Sequence, residues 1–79
     1  MTDEDRALLD FADRWWRTAG AQHDAITREL GMTPTRYFQR LNALLDDPAA
    51  LAHNPALVRR LQRVRAQRDT GRTARRTLG

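Results

Sequence analysis

Residues 23–45 read HDAITRELGMTPTRYFQRLNALL, and this stretch decides the fold. A short helix predicted over 21–30 ends in Leu30-Gly31-Met32. A second begins at Thr33-Pro34 and is predicted to run over 34–46. Gly31 supplies the residue that tolerates positive φ in a tight turn. Thr33 suits an N-cap, and Pro34 suits the first helical position. Leu30 and Met32 are apolar, as residues filling the angle between two helices must be. Ala25, Ile26 and Leu30 make the buried side of the first helix. Tyr37, Phe38, Leu41, Leu44 and Leu45 make the apolar stripe of the second. Together these features have the anatomy of a helix-turn-helix. An ordinary helical bundle with a solvated polar face is the plainer alternative.

Working outward, the N-terminal side predicts a helix from residue 3 to about 18. Thr2 is its cap, and Asp3, Glu4 and Asp5 suit the positive end of the helix dipole. Leu8, Leu9, Phe11, Ala12, Trp15 and Trp16 fall on one face, which favours the core over base stacking for the tryptophan pair and leaves one of the two open to partial exposure toward a dimer partner. On the C-terminal side, Asp47-Pro48 ends the second helix of the motif, and residues 48–52 suit one short helical turn. Asn54-Pro55 repeats the cap-then-proline signal. A last helix is predicted from 55 to about 69, with Leu57, Val58, Leu61 and Val64 on one side. Residues 70–79 lose all periodicity and read as a disordered basic tail. The expected fold is all-α: a small three- to four-helix domain at 1–69 containing a helix-turn-helix, with the tail at 70–79. No segment reads as a strand.

Charge is distributed unevenly over the 79 residues, whose net charge is +4. Residues 1–31 hold seven acids against four arginines, a net −3. Residues 32–79 hold three acids against ten arginines, a net +7. All fourteen basic residues are arginine. A GC-rich genome would explain the lack of lysine, but not the clustering. A basic half of this kind implies a polyanionic partner, and arginine forks bidentately onto phosphate and guanine.

The candidate DNA-binding residues follow from these two features. The exposed side of helix 34–46, the expected recognition helix, offers Thr35, Arg36, Gln39 and Arg40, with Thr33 at its start. Thr35, Arg36 and Gln39 are types that read base edges, and Arg40 suits a phosphate. The C-terminal region adds Arg59, Arg60, Arg63, Arg68, Arg72, Arg75 and Arg76 as phosphate contacts, which give salt-dependent affinity without sequence preference.

Other chemistries find little support. There are no cysteines, so neither a disulfide nor a cysteine-bearing zinc site is possible. His23 and His53 have no ligand set around them. No nucleophile–base pairing, phosphate loop or convincing carboxylate pair is present, so no enzyme activity, metal, cofactor or small-molecule ligand is expected. No apolar run approaches the roughly 20 residues that span a bilayer, and the acidic start lacks a signal-peptide pattern. The expected place is the cytoplasm, at the nucleoid.

The tryptophan pair at 15–16, AGA at 19–21 and LGMTPTRYFQRLNALLDDPAALAHNPALVRRLQRVR at 30–65 resemble a family of short actinobacterial proteins catalogued as a domain of unknown function. The resemblance covers nearly the whole chain before the tail. It implies a helix-turn-helix DNA-binder with nucleoid-associated or regulatory behaviour. Double-stranded DNA is thus the first expected partner, with pairing into a homodimer at helix 1 left open. The alternative is a protein–protein adaptor that docks RNA polymerase, other transcription machinery or another regulator. RNA binding ranks third, because the aromatic residues are mostly assigned to the core.

Overall fold

The computed structural model describes the backbone of residues 1–78 and the side chains of residues 1–68. The chain is all-helical, with α1 (Asp3–Ala12), α2 (Ala19–Ala25), α3 (Pro34–Leu44), α4 (Pro48–His53) and α5 (Pro55–Leu78). A single π-helical segment, Ile26–Leu30, continues α2 directly. No strand occurs among the described residues. The short turn predicted at 48–52 is a complete small helix, so five helices stand among the described residues where three or four were expected.

Local chemistry sets most of the boundaries. The Thr2 hydroxyl accepts from the Asp5 N–H at 3.1 Å, and the Asp5 carboxylate accepts from the Thr2 N–H at 3.3 Å. This reciprocal capping box satisfies two N–H groups that the first turn of α1 would otherwise leave without partners. Gly31 closes the α2–π segment at φ 65°, its N–H bonded to the Thr27 carbonyl at 3.2 Å. A Cβ there would meet no atom within 4 Å, so backbone conformation rather than crowding calls for glycine. Thr33 caps α3 by accepting from the Arg36 N–H at 3.2 Å, and Pro34 opens the helix. Asp47 caps α4 through the Ala49 N–H at 2.9 Å. The Asn54 side-chain oxygen accepts from the Leu57 N–H at 3.3 Å at the start of α5.

The first helix is shorter than its hydrophobic pattern predicts. It ends at Ala12, and the Arg14 N–H bonds the Phe11 carbonyl at 3.1 Å in a tightened last turn. Thr18 then caps α2, accepting from the Ala21 N–H at 3.0 Å. Aromatic residues and threonine have only middling helix propensity, so tertiary contacts decide this segment. Trp16 folds back onto Phe11, with ring centroids 4.9 Å apart. Trp15 is 83% exposed, which corrects its assignment to the core.

One buried cluster joins the helices: Leu8, Leu9 and Phe11 of α1, Ala25 and Ile26, Tyr37 and Leu44 of α3 with Leu45 just beyond it, Ala50 of α4, and Leu57 and Val58 of α5. Apolar burial at roughly 25 cal/mol per Å2 supplies the main driving force in so short a chain. Leu30, Met32, Leu41, Leu51 and Leu61 pack partly buried around this centre. Phe38 and Val64, assigned to apolar stripes from their spacing, remain 42% and 46% exposed. Each stripe is wider than the surface available to cover it, so its edge stays in water.

The helix expected to end near Asp69 is drawn to Leu78. The predicted disordered tail at 70–79, and with it the expected domain boundary, falls where the side chains lie outside the described residues.

Candidate nucleic-acid interface

Two arginine-bearing surfaces carry the candidate residues, and their surroundings differ. The first is the exposed side of α3. Thr33, Thr35, Arg36, Gln39 and Arg40 are all exposed. Thr33 is engaged as the helix cap through its hydroxyl. Arg36, Gln39, Arg40 and Ala43 line a depression of about 480 Å3, whose other wall is Thr2, Glu4 and Asp5 from the start of α1, with Met32 between.

Arg40 is bound inside that depression. Its Nε donates to Asp5 at 2.9 Å and its Nη2 donates to the other Asp5 oxygen at 2.8 Å. Asp5 is only 4% exposed. The Arg40 bonds hold the Asp5 carboxyl below its ordinary range against the opposing effect of burial, and the Thr2 bonds add to this. The pair raises the Arg40 pKa in turn. Arg40 therefore ties α3 to α1, a role sequence spacing does not show because its partner is 35 residues away.

The second surface is α5. Arg59, Arg60, Arg63 and Arg68 are exposed. By helical periodicity Arg59 and Arg63 lie on the side opposite Leu57 and Leu61, Arg60 flanks that side, and Arg68 lies nearer the apolar side. Arg60 reaches Asp13 at 3.4 Å. Arg65 forms a two-pronged pair with Asp46 at 2.8 and 3.2 Å and bonds the Asn42 side chain at 3.1 Å. That pair lowers the Asp46 pKa. Arg59, Arg63 and Arg68 have no acid within ion-pair distance among the described residues. Arg72, Arg75 and Arg76 carry side chains outside the described residues.

Elsewhere, several acids and bases of the body are matched, while Glu4, Asp24, Asp47, Arg17 and Arg36 form no ion pair among the described residues. Asp3 pairs with Arg6, Asp10 with His53 at 3.0 Å, and Glu29 with Arg14 at 2.6 Å. Two buried polar atoms, the Tyr37 hydroxyl and Trp16 Nε1, have no hydrogen-bond partner among the described residues. Burial pushes the Tyr37 hydroxyl up to about 12. Among the described residues, no group of three or more His, Cys, Asp or Glu could hold a metal ion, and no helix is long and apolar enough to cross a membrane.

Sequence reasoning left one tryptophan open to partial exposure without singling out Trp15, and it missed the loop between α1 and α2 that exposes Trp15 and Arg17. Thr18, a good N-cap residue ahead of a small-residue run, was the available signal that a new helix starts there.

The comparison with known families adds one finding. The chain belongs to the DUF3263 family. The family model matches residues 1–73, and its description is a protein of unknown function. The match takes in all of α1 to α4 and most of α5, so both arginine surfaces lie within the DUF3263 region. No curated protein and no solved structure matches the chain.

Proposed function

We propose that this chain binds double-stranded DNA as a nucleoid-associated protein or small transcriptional regulator, with Arg59, Arg63 and Arg68 of α5 contacting phosphates. The observation that carries this reading is the contrast in neutralisation. Asp3, Asp5, Asp10, Asp13, Glu29 and Asp46 each have a basic partner in the fold, whereas Arg59, Arg63 and Arg68 have no acid partner among the described residues. Cations left without counter-charge, as Arg59 and Arg63 are on one side of α5, repel one another, and a polyanion relieves that repulsion while releasing its own counterions.

In this reading α3 is the recognition helix of a helix-turn-helix, and Thr35, Arg36 and Gln39 read base edges. Arg40 serves mainly to hold α3 against α1. Glu4, on the wall facing Arg36, works against phosphate at that spot, so α5 provides most of the affinity.

The test is a fluorescence-anisotropy titration of the full chain against labelled GC-rich and AT-rich duplexes at several salt concentrations. Binding should fall steeply with salt. The Arg59→Ala/Arg63→Ala double variant should lower the salt slope by about 2, roughly one for each phosphate contact removed. A wild-type chain that binds neither duplex at low salt sinks the proposal, and an unchanged slope removes α5 from it.

The adaptor reading has one observation in its favour. Phe38, Leu41, Leu61 and Val64 line a groove of about 300 Å3 between α3 and α5. Half-exposed apolar side chains of this kind suit a protein partner. An adaptor should keep that partner when excess DNA is added.

A further inference from the structure

Trp15 is the most exposed large apolar side chain of the described residues, at 83%. An indole left in water forgoes the burial of a large aromatic surface. Its loop is nonetheless held on both sides. Asp13 accepts from the Asn54 side-chain amide at 3.3 Å and from Arg60 at 3.4 Å. The Arg14 guanidinium lies 4.6 Å from the Trp16 ring centroid and 5.2 Å from that of Phe11, and it pairs with Glu29 at 2.6 Å. Trp16 stacks on Phe11, and Thr18 caps α2. Trp15 is thus carried outward by a loop whose other members are mostly anchored.

The surroundings of that loop are cationic. Arg14 and Arg17 flank Trp15 in sequence, and the Asp13 contact clamps the loop against α5 at Arg60, within one helical turn of Arg59 and Arg63. Of the acids near this loop, Asp13 and Glu29 are each engaged by an arginine and Asp10 by His53. An exposed indole on a loop that also carries arginines has the chemistry of a base-stacking platform, because every nucleobase offers a π-face and cations hold its phosphate.

We propose that Trp15 stacks on a nucleobase that is unpaired or displaced from the duplex, next to phosphates held by α5. This rests on the DNA-binding reading and adds to it a ligand class, exposed bases. Arg17, exposed and without an acid partner among the described residues, holds the adjoining phosphate.

The full chain is titrated with a labelled oligothymidine single strand and with a fully paired duplex, in wild-type, Trp15→Ala and Trp15→Phe forms, with circular dichroism confirming equal helicity. Trp15→Ala should weaken oligothymidine binding about tenfold and duplex binding much less, at an unchanged salt slope. Trp15→Phe should retain most of the affinity. Oligothymidine should quench the tryptophan emission of the wild type and leave that of Trp15→Phe, which reports Trp16 alone, nearly constant. Equal affinity of wild type and Trp15→Ala for oligothymidine overturns the inference, as does equal quenching in Trp15→Phe. A wild type that self-associates while Trp15→Ala stays monomeric, with equal DNA affinity, overturns it in favour of a dimer contact. Duplex binding with no effect at Trp15 sinks this inference alone; a wild type that binds no DNA sinks the DNA-binding reading as well.

Discussion

Arg40 on α3 and Arg59 on α5 are both exposed arginines on the polar side of an amphipathic helix, yet they meet opposite environments. Across from Arg40 stands the first turn of α1, where Asp3, Glu4 and Asp5 gather because the helix dipole favours acids at an N-terminus. Asp5 is buried there and takes the Arg40 fork with both oxygens. Across from Arg59 there is no acid among the described residues within ion-pair distance. A polar face at helical spacing therefore says which residues avoid the core. Whether a cation on that face joins the fold or stays available to a polyanion depends on what another element sets opposite it.

The contrast can be broken from either side, and the largest effect belongs to the Asp5–Arg40 pair. Asp5→Ala removes two charge-assisted bonds and half of the capping box. It should lower the unfolding free energy by about 2 kcal/mol, below the full range for a buried ion pair because Arg40 is half exposed. Urea denaturation reads this value. DNA affinity of the folded protein should change little; a large drop there would mean that Arg40 or its depression contacts DNA after all.

The same pair carries a pH signature. Asp5 titrates below its ordinary 3.8 in the fold, chiefly because of Arg40. Its contribution is complete above that ordinary value and is lost as the pH falls through the lower folded value. The stability gap between wild type and Asp5→Ala should therefore hold across neutral pH and close in acid, below about pH 4. A gap that narrows between pH 6 and 8 would contradict this assignment.

On α5 the pattern should invert. Arg59→Ala/Arg63→Ala should leave unfolding free energy within about 0.5 kcal/mol of wild type, as exposed substitutions without fold partners do. Duplex affinity at low salt should drop about tenfold. Loss of stability without loss of affinity would reverse the two roles.

The smallest effect is expected at Tyr37, on the buried side of α3. Its hydroxyl is enclosed without a partner, so Tyr37→Phe removes a desolvated polar group at almost no change in shape. Thermal or urea unfolding should show no loss, and a gain of up to about 1 kcal/mol is expected. A clear loss would mean that the hydroxyl has a bonding partner in solution.

Signals that act over a few residues were legible in advance. Gly31, Thr33 with Pro34, and Asn54 with Pro55 each announced a boundary through backbone chemistry completed within one turn. Arg59 and Arg63 were read from the local shortage of acids, and the fold leaves them as expected, without an acid partner among the described residues. What the spacing does not show concerns residues whose partners are far along the chain. Arg40 reads as a phosphate contact at the edge of the outer face of α3, and spacing alone does not show its bonds to Asp5. Trp15 was assigned to the core because a wheel drawn through residue 18 assumes a helix that continues.

That this chain is helical, where most of its helices begin, and that its positive charge gathers toward the C-terminal half all follow from local sequence. Those properties follow from caps, prolines, apolar spacing and composition, none of which needs a distant partner. Where α1 stops, which tryptophan is covered, and which arginines the fold neutralises are settled by packing. Each of those outcomes depends on contacts made across the packed helices: Phe11 takes Trp16 rather than Trp15, and Asp5 takes Arg40 while no acid takes Arg59. A local pattern specifies a face, and packing chooses what that face meets.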